Sequence, residues 1–284
     1  MDLLSKHNAP EAVAAGTEAI RQAVLRESRC ITQPQFLKIG LDDLERLFNL
    51  YDRRFFDGWL APAVKARTGG PLTFRLSRTM TRAGGKTTRF RRRSSDGKWR
   101  EEYEIAVASR MLFMTFSEVE RPVTVSGLPC TDRLQALQRI IEHEIIHLAE
   151  LLVWGRSSCS RQRFKTLAAN IFGHADTKHA LVTPPEHAAV RHGLCLGRTV
   201  EFEFEGRRLV GRINRIHRRA TVLVEDAAGR RYSDGKTYRR FYVPLAMLAL
   251  HEPAARAALT PPPPAGPSGA EGAGPCPGSP PPPP

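Results

Sequence analysis

Two histidines four residues apart, His143 and His147, flank Glu144 in the run IIEHEIIHLAELLVW. On a helix that spacing turns both imidazoles to one face, where they can share a metal ion, and places the glutamate beside them. The chemistry this permits is hydrolysis. Neutral imidazoles hold a zinc ion that acidifies a water and polarises a carbonyl, and the carboxylate carries the proton from the water to the leaving amine. Two surface histidines on a helix would match the same five residues, but packing alone gives little reason for an apolar helix to direct two histidines and a glutamate to one side.

A tetrahedral zinc site needs a third protein ligand, and here the sequence leaves alternatives open. Cys159 supplies a thiolate, which donates charge and makes the metal a weaker Lewis acid. His174 and His179, in GHADTKH, reach the site only if the chain folds back, because the helix between is about 18 Å long. Glu150 lies on the same helical face as the histidines, as a ligand or as a partner of an imidazole. Cys159 and His174 carry equal weight as the third ligand.

The elements that must position these groups are legible from hydrophobic spacing. Thr131 is the expected N-cap of the histidine helix, with Asp132 complementing its dipole, and Gly155 the expected stop. Between them Leu134, Leu137, Ile141, Ile145, Leu148 and Leu152 recur every three or four residues and bury one face. A following helix over 160–172 turns Phe164, Leu167, Ile171 and Phe172 inward. Upstream, 10–29 reads as a short amphipathic helix, and LDDLERLFNLYDRRFF (41–56) as a second one stopped by Asp57-Gly58. PLTFRLSRTM and TTRFRRR alternate apolar with basic residues about Gly84-Gly85, which predicts a basic hairpin, and 102–113 reads as a more buried strand with Ile105, Val107 and Leu112 inward. After a polar, proline-containing connector (183–193) the period changes to two. TVEFEF, RLVGRINRI, ATVLVE, RRYSD and RRFYVPL are short strands, which together predict a small SH3-like β-barrel. From Thr260 onward the Pro/Gly-rich run cannot bury a core and is expected to be disordered.

The net charge of +14 is concentrated. Residues 75–100 hold ten Lys or Arg against one acid, and 207–240 hold eleven against three. Such patches attract polyanions, so DNA or RNA is the expected partner of these two segments, the plainer alternative being solvated strand faces. No apolar run is long enough for a membrane span, the amino terminus lacks a secretory pattern, and five scattered cysteines form no C-x-x-C pair. A cytoplasmic location with reduced thiols is expected.

Over about residues 36–180 the chain resembles the SprT-like (Spartan-type) metallopeptidase domain. The resemblance rests on LFNLYDRRFFDGWLAP, which looks like that family's aromatic helix and turn, on the basic FRLSRTMTRAGG, on EIAVASRMLF, on the HEIIH helix and on the helix entered near Arg163-Phe164. It implies a small zincin-like fold, Zn2+ bound by His143 and His147, Glu144 as general base, and a peptidase acting on proteins at DNA. Two departures follow. The family's third histidine falls where this chain has Ser160, and the four-cysteine zinc ribbon that often follows the domain is replaced by the expected barrel.

The fold expectation is therefore α+β: an N-terminal helical extension (1–33), a zincin-like metallopeptidase domain (34–182), a linker (183–195), a small SH3-like barrel (196–250) and a disordered tail (251–284). The functional expectation is a zinc metalloendopeptidase. Its rival is a nucleic-acid-binding protein with a degenerate, non-catalytic peptidase domain, and a third reading is a metal-dependent hydrolase of another bond.

Overall fold

The long helix α5 (Arg133–Trp154) exists because every third or fourth side chain is apolar, and all six residues of its predicted stripe are buried. Each such side chain contributes roughly 1.5–3 kcal/mol when taken from water. The cap is Asp132 rather than Thr131: its carboxylate accepts from the Gln135 N–H at 3.0 Å and is held by both terminal nitrogens of Arg21 at 2.8–2.9 Å. Gly155 ends the helix at φ 66°, a left-handed conformation that suits glycine. The computed structural model describes residues 2–93, 97, 99–117 and 119–251, so residues 252–284 of the expected tail, together with Asp96 and Lys98 of the first basic segment, lie outside the described residues.

Around α5 pack α1 (Pro10–Glu27), α2 (Leu41–Phe55), α3 (Leu60–Thr68), α4 (Ser109–Met114) and α6 (Gln162–Phe172). Leu3, Ile20 and Val24 belong to the same core as Leu44, Tyr51 and Phe172, so the N-terminal helix is integral to it. Buried Arg133 ties the start of α5 to α4 and to the segment before α2, donating to the carbonyls of Leu112, Phe113 and Phe36.

The three-stranded sheet is ordered β1 (Thr73–Leu76), β3 (Trp99–Val107), β2 (Gly85–Arg93). This corrects the hairpin expected about Gly84-Gly85. β1 runs parallel to β3, Phe74 opposite Ile105, while the hairpin is formed by β2 with β3, Thr87 opposite Ile105. Alternation of apolar and basic residues fixes a strand but not its partner, and β3, with Ile105 to Val107 fully buried, is the strand that takes neighbours on both edges. The strand expected to run to Phe113 stops at Val107, and Leu112 is buried from α4 instead. A small hairpin follows, β4 (Val123–Val125) with β5 (Leu128–Cys130).

The connector 183–193 is largely a helix, α7 (Pro184–His192). Thr183 and Glu186 form a reciprocal cap, and proline at the first helical position has no N–H to leave unpaired. Beyond it β6 (Thr199–Phe204), β7 (Arg207–Ile216), β8 (Arg219–Arg231), β9 (Thr237–Pro244) and β10 (Ala249–Leu250) form one antiparallel sheet in the order β10-β6-β7-β8-β9. Glu205 and Gly206, at φ 51° and 71°, make the tight β6–β7 turn. The expected barrel is not closed: among the described residues the end strands β9 and β10 do not pair. β9 finishes at Pro244, which has no N–H to donate, and β10 is two residues long and pairs only with β6. Val200, Ile213, Val222 and Val243 form the sheet's own core, with Ala188 of α7 and Leu194 packed into it. Of the RRYSD segment only Arg230 and Arg231 are in a strand, as the end of β8, which continues past an irregularity between Glu225 and Arg230, while Ser233 and Asp234 belong to the turn before β9.

Candidate metal centre

α5 and the segment leading into α6 bring His143, His147 and Cys159 together, with a nitrogen of each imidazole and the thiol sulfur all within 4.8 Å of one another. They open onto a cleft of about 850 Å³ walled by Gly84 to Arg89, by Ser157 and by 177–179. Of the two main candidates for a third ligand, the structure brings Cys159 to the histidines and leaves His174 elsewhere. His174 is buried with its Nε2 2.9 Å from Glu142, in a core network where Glu142 also accepts from Tyr51 at 2.8 Å and from Arg139 at 2.9–3.0 Å. An imidazole drawn into that network is unavailable to the cleft. Ser160 is exposed, its hydroxyl 2.9 Å from that of Ser158. His179 lines the cleft but stands outside the three-residue group.

Both histidines are poised as neutral donors. Burial pushes the imidazole of His143 down to about 3, and that of His147 down to about 4, while the nearby Glu150 carboxylate pulls the latter the other way. The Phe164 ring lies 4.8 Å from the His143 ring and 4.4 Å from the His147 ring, fixing both against rotation.

The orientation of His147 is set by a relay. Ser157 Oγ donates to Glu150 Oε2 at 2.6 Å, so its lone pair accepts from His147 Nδ1–H, also at 2.6 Å. That leaves Nε2 as the lone-pair nitrogen. Glu150 is fully buried and held in turn by Arg163 Nε at 2.6 Å, whose guanidinium stacks 4.2 Å over Trp154. Glu150 is thus the partner of an imidazole, not a ligand.

Glu144 projects toward β2. Thr87 Oγ1 lies 2.8 Å from its carboxylate and 2.9 Å from its backbone carbonyl. Burial raises the Glu144 carboxyl to about 7, and bonds from the Thr87 hydroxyl and N–H hold it from rising further. Gly85 makes room for it: a Cβ there would sit 2.7 Å from Glu144 Cγ and Oε1. Sequence reasoning missed Thr87, Gly85, Ser157 and Arg163. Only the Gly84-Gly85 pair carried a signal, and it was spent on a turn.

The donor set could hold a metal ion: two neutral imidazoles and a thiol converge at one cleft, beside a carboxylate, Glu144, that belongs to no ion pair among the described residues. Comparison with protein families, with curated proteins and with solved structures finds no match to this chain.

Proposed function

We propose that this chain is a zinc-dependent metalloendopeptidase of the SprT-like type, with His143, His147 and Cys159 as ligands and Glu144 as general base. The observation that carries the reading is the meeting of Cys159 with the two histidines at the cleft into which Glu144 also faces. A zinc ion held there supplies the Lewis acidity that polarises a peptide carbonyl and acidifies water. Glu144 takes the proton of the attacking water and returns it to the departing amine. Thr87 holds that carboxylate in place, and the Glu150–Ser157 pair holds His147. A thiolate in the donor set tempers the Lewis acidity, so a slow enzyme is expected.

We read the zincin-like architecture in the α5 core and the SH3-like one in the sheet after α7. Association with DNA is assigned to the strand arginines of the first basic segment, where Arg91 lies 5.6 Å over the exposed Trp99 ring. The rival reading, a non-catalytic nucleic-acid-binding protein, draws on Ser160 standing where the family places its third histidine.

The deciding experiment is elemental analysis of purified wild type beside His143→Ala, Cys159→Ser and Glu144→Gln, with casein cleavage measured on the same samples. One zinc per chain in wild type, lost in the first, weakened in the second and kept in an inactive third, establishes the enzyme. Wild type free of metal after zinc is supplied overturns it in favour of the rival.

A further inference from the structure

Seven cationic side chains converge on a second cleft whose described wall holds no carboxylate: Lys38, from the segment before α2, and six more. Arg78, Arg82 and Lys86 come from the approach to β2 and its start, Arg110 from α4, and Arg215 and Arg218 from the end of β7 and the turn after it. The cleft encloses about 1350 Å³. Elsewhere several cations of the two basic segments are paired: Arg75 with Glu104, Arg92 with Glu102, Arg208 with Glu201, Arg212 with Asp234 and Arg239 with Asp226. The seven at the cleft have no ion-pair partner among the described residues.

Burial and neighbouring positive charge act together on two groups of the wall. The Arg110 guanidinium is pulled down by burial and then by Arg218, and the His217 imidazole by burial and then by Arg215, Arg110 and Arg82. Like charges gathered on a low-dielectric wall destabilise the empty cleft, and an anion seated among them offsets that cost.

We propose that this cleft is a specificity subsite for acidic polypeptide, taking a run of Asp or Glu side chains on one side of the bond to be cut. The proposal rests on the peptidase reading for its second half only. Arg82, Ala83 and Lys86 wall both this cleft and the one holding His143, Glu144 and His147, so a chain lying in one continues into the other. Leu37, Ile39, Leu76 and Met80 supply apolar wall beside the cations, which suits an extended peptide whose side chains alternate in direction. Single-stranded nucleic acid would want an open ring for its bases to stack on. Among the described residues the cleft is lined by one Phe and by no Tyr or Trp, and that ring, Phe113, is already engaged by the Phe36 ring at 5.8 Å and the Arg133 guanidinium at 5.0 Å.

The test uses full-length chain and three fluorescent peptides that share a neutral centre and carry four Glu, four Ser or four Lys on one flank. Binding is read with Glu144→Gln and cleavage with wild type. The acidic peptide should bind and be cut best. Reversing two exposed charges outside the metal cleft, Arg78→Glu with Arg218→Glu, should weaken its binding about tenfold or more while leaving the Ser peptide unchanged. Preference for the acidic flank retained with no cleavage of any peptide would uphold the subsite and refute the peptidase. Equal binding of all three peptides, or indifference to the double reversal, overturns the subsite. So does an oligo-dT probe whose binding is lost in the reversed variant while that of the acidic peptide is not, which gives the cleft to nucleic acid.

Discussion

The Nδ1 of His147 lies 2.6 Å from Ser157 Oγ, and the same hydroxyl lies 2.6 Å from the buried Glu150 carboxylate. The proton order this imposes makes Nε2 of His147 the free donor, so the relay should be felt as metal affinity. Ser157→Ala is expected to weaken zinc binding about 10–100-fold, the usual effect of losing the group behind a ligating histidine. Competition with a chromophoric chelator measures it. Unchanged affinity with lowered thermal stability would reduce Ser157 to a packing role.

Cys159 and His174 were level as candidates in the sequence, and the structure separates them with opposite expectations. Cys159→Ser should lose most of its zinc and leave the stability of the metal-free chain nearly unchanged, since the thiol is half-buried at the cleft. His174→Ala should keep its zinc and lose about 1–3 kcal/mol of stability, because fully buried Glu142 forfeits one of its partners. Metal content and urea unfolding of both variants, measured side by side, check the pair.

What was legible at the site was local. His143, Glu144 and His147 announce themselves because one helix fixes their geometry. Thr87, Gly85, Ser157 and Arg163 do not, because their distance to the site is set by the sheet pairing of β2 and by the path from Gly155 into α6, and neither follows from spacing. The same limit applied to charge. Counting gave two basic segments, but pairing across strands neutralises several of their cations, and only the fold shows Arg78, Arg82, Lys86, Arg215 and Arg218 meeting at a common cleft.

Gly85 bears on catalysis through the space it leaves. A methyl group there would press 2.7 Å from Glu144 Cγ and Oε1 and 2.9 Å from Cδ, so Gly85→Ala must displace the carboxylate or the strand. Zinc content should hold, as the three atoms nearest the added methyl all belong to Glu144, while kcat falls about 10²-fold, the scale of a displacement near 1 Å in a reacting group. Activity near wild type would show that β2 gives way and the carboxylate keeps its place.

Among the helices, periodicity placed α1, α2, α5 and α6 to within about two residues, because each buries a continuous stripe. α7 was taken for a connector because Pro184-Pro185 reads as a breaker, whereas proline at a helix start is pre-organised for it. The helix is anchored by Arg121, whose guanidinium donates to both Glu186 oxygens at 2.5 and 3.0 Å. The bond from Arg121 holds the Glu186 carboxyl below its ordinary 4.5. A carboxylate depressed in the fold adds stability above its unfolded pKa and loses it as pH falls through the folded one. Glu186→Gln, which preserves a capping side chain, should therefore cost about 0.5–1 kcal/mol at pH 7, the pair being partly solvent-screened. The difference from wild type should shrink as pH falls below 4.5 and through the lowered pKa of Glu186, as read by urea unfolding from neutral pH down to about pH 3. A cost that stays constant down to pH 3 would mean that Glu186 acts through its cap and not through Arg121.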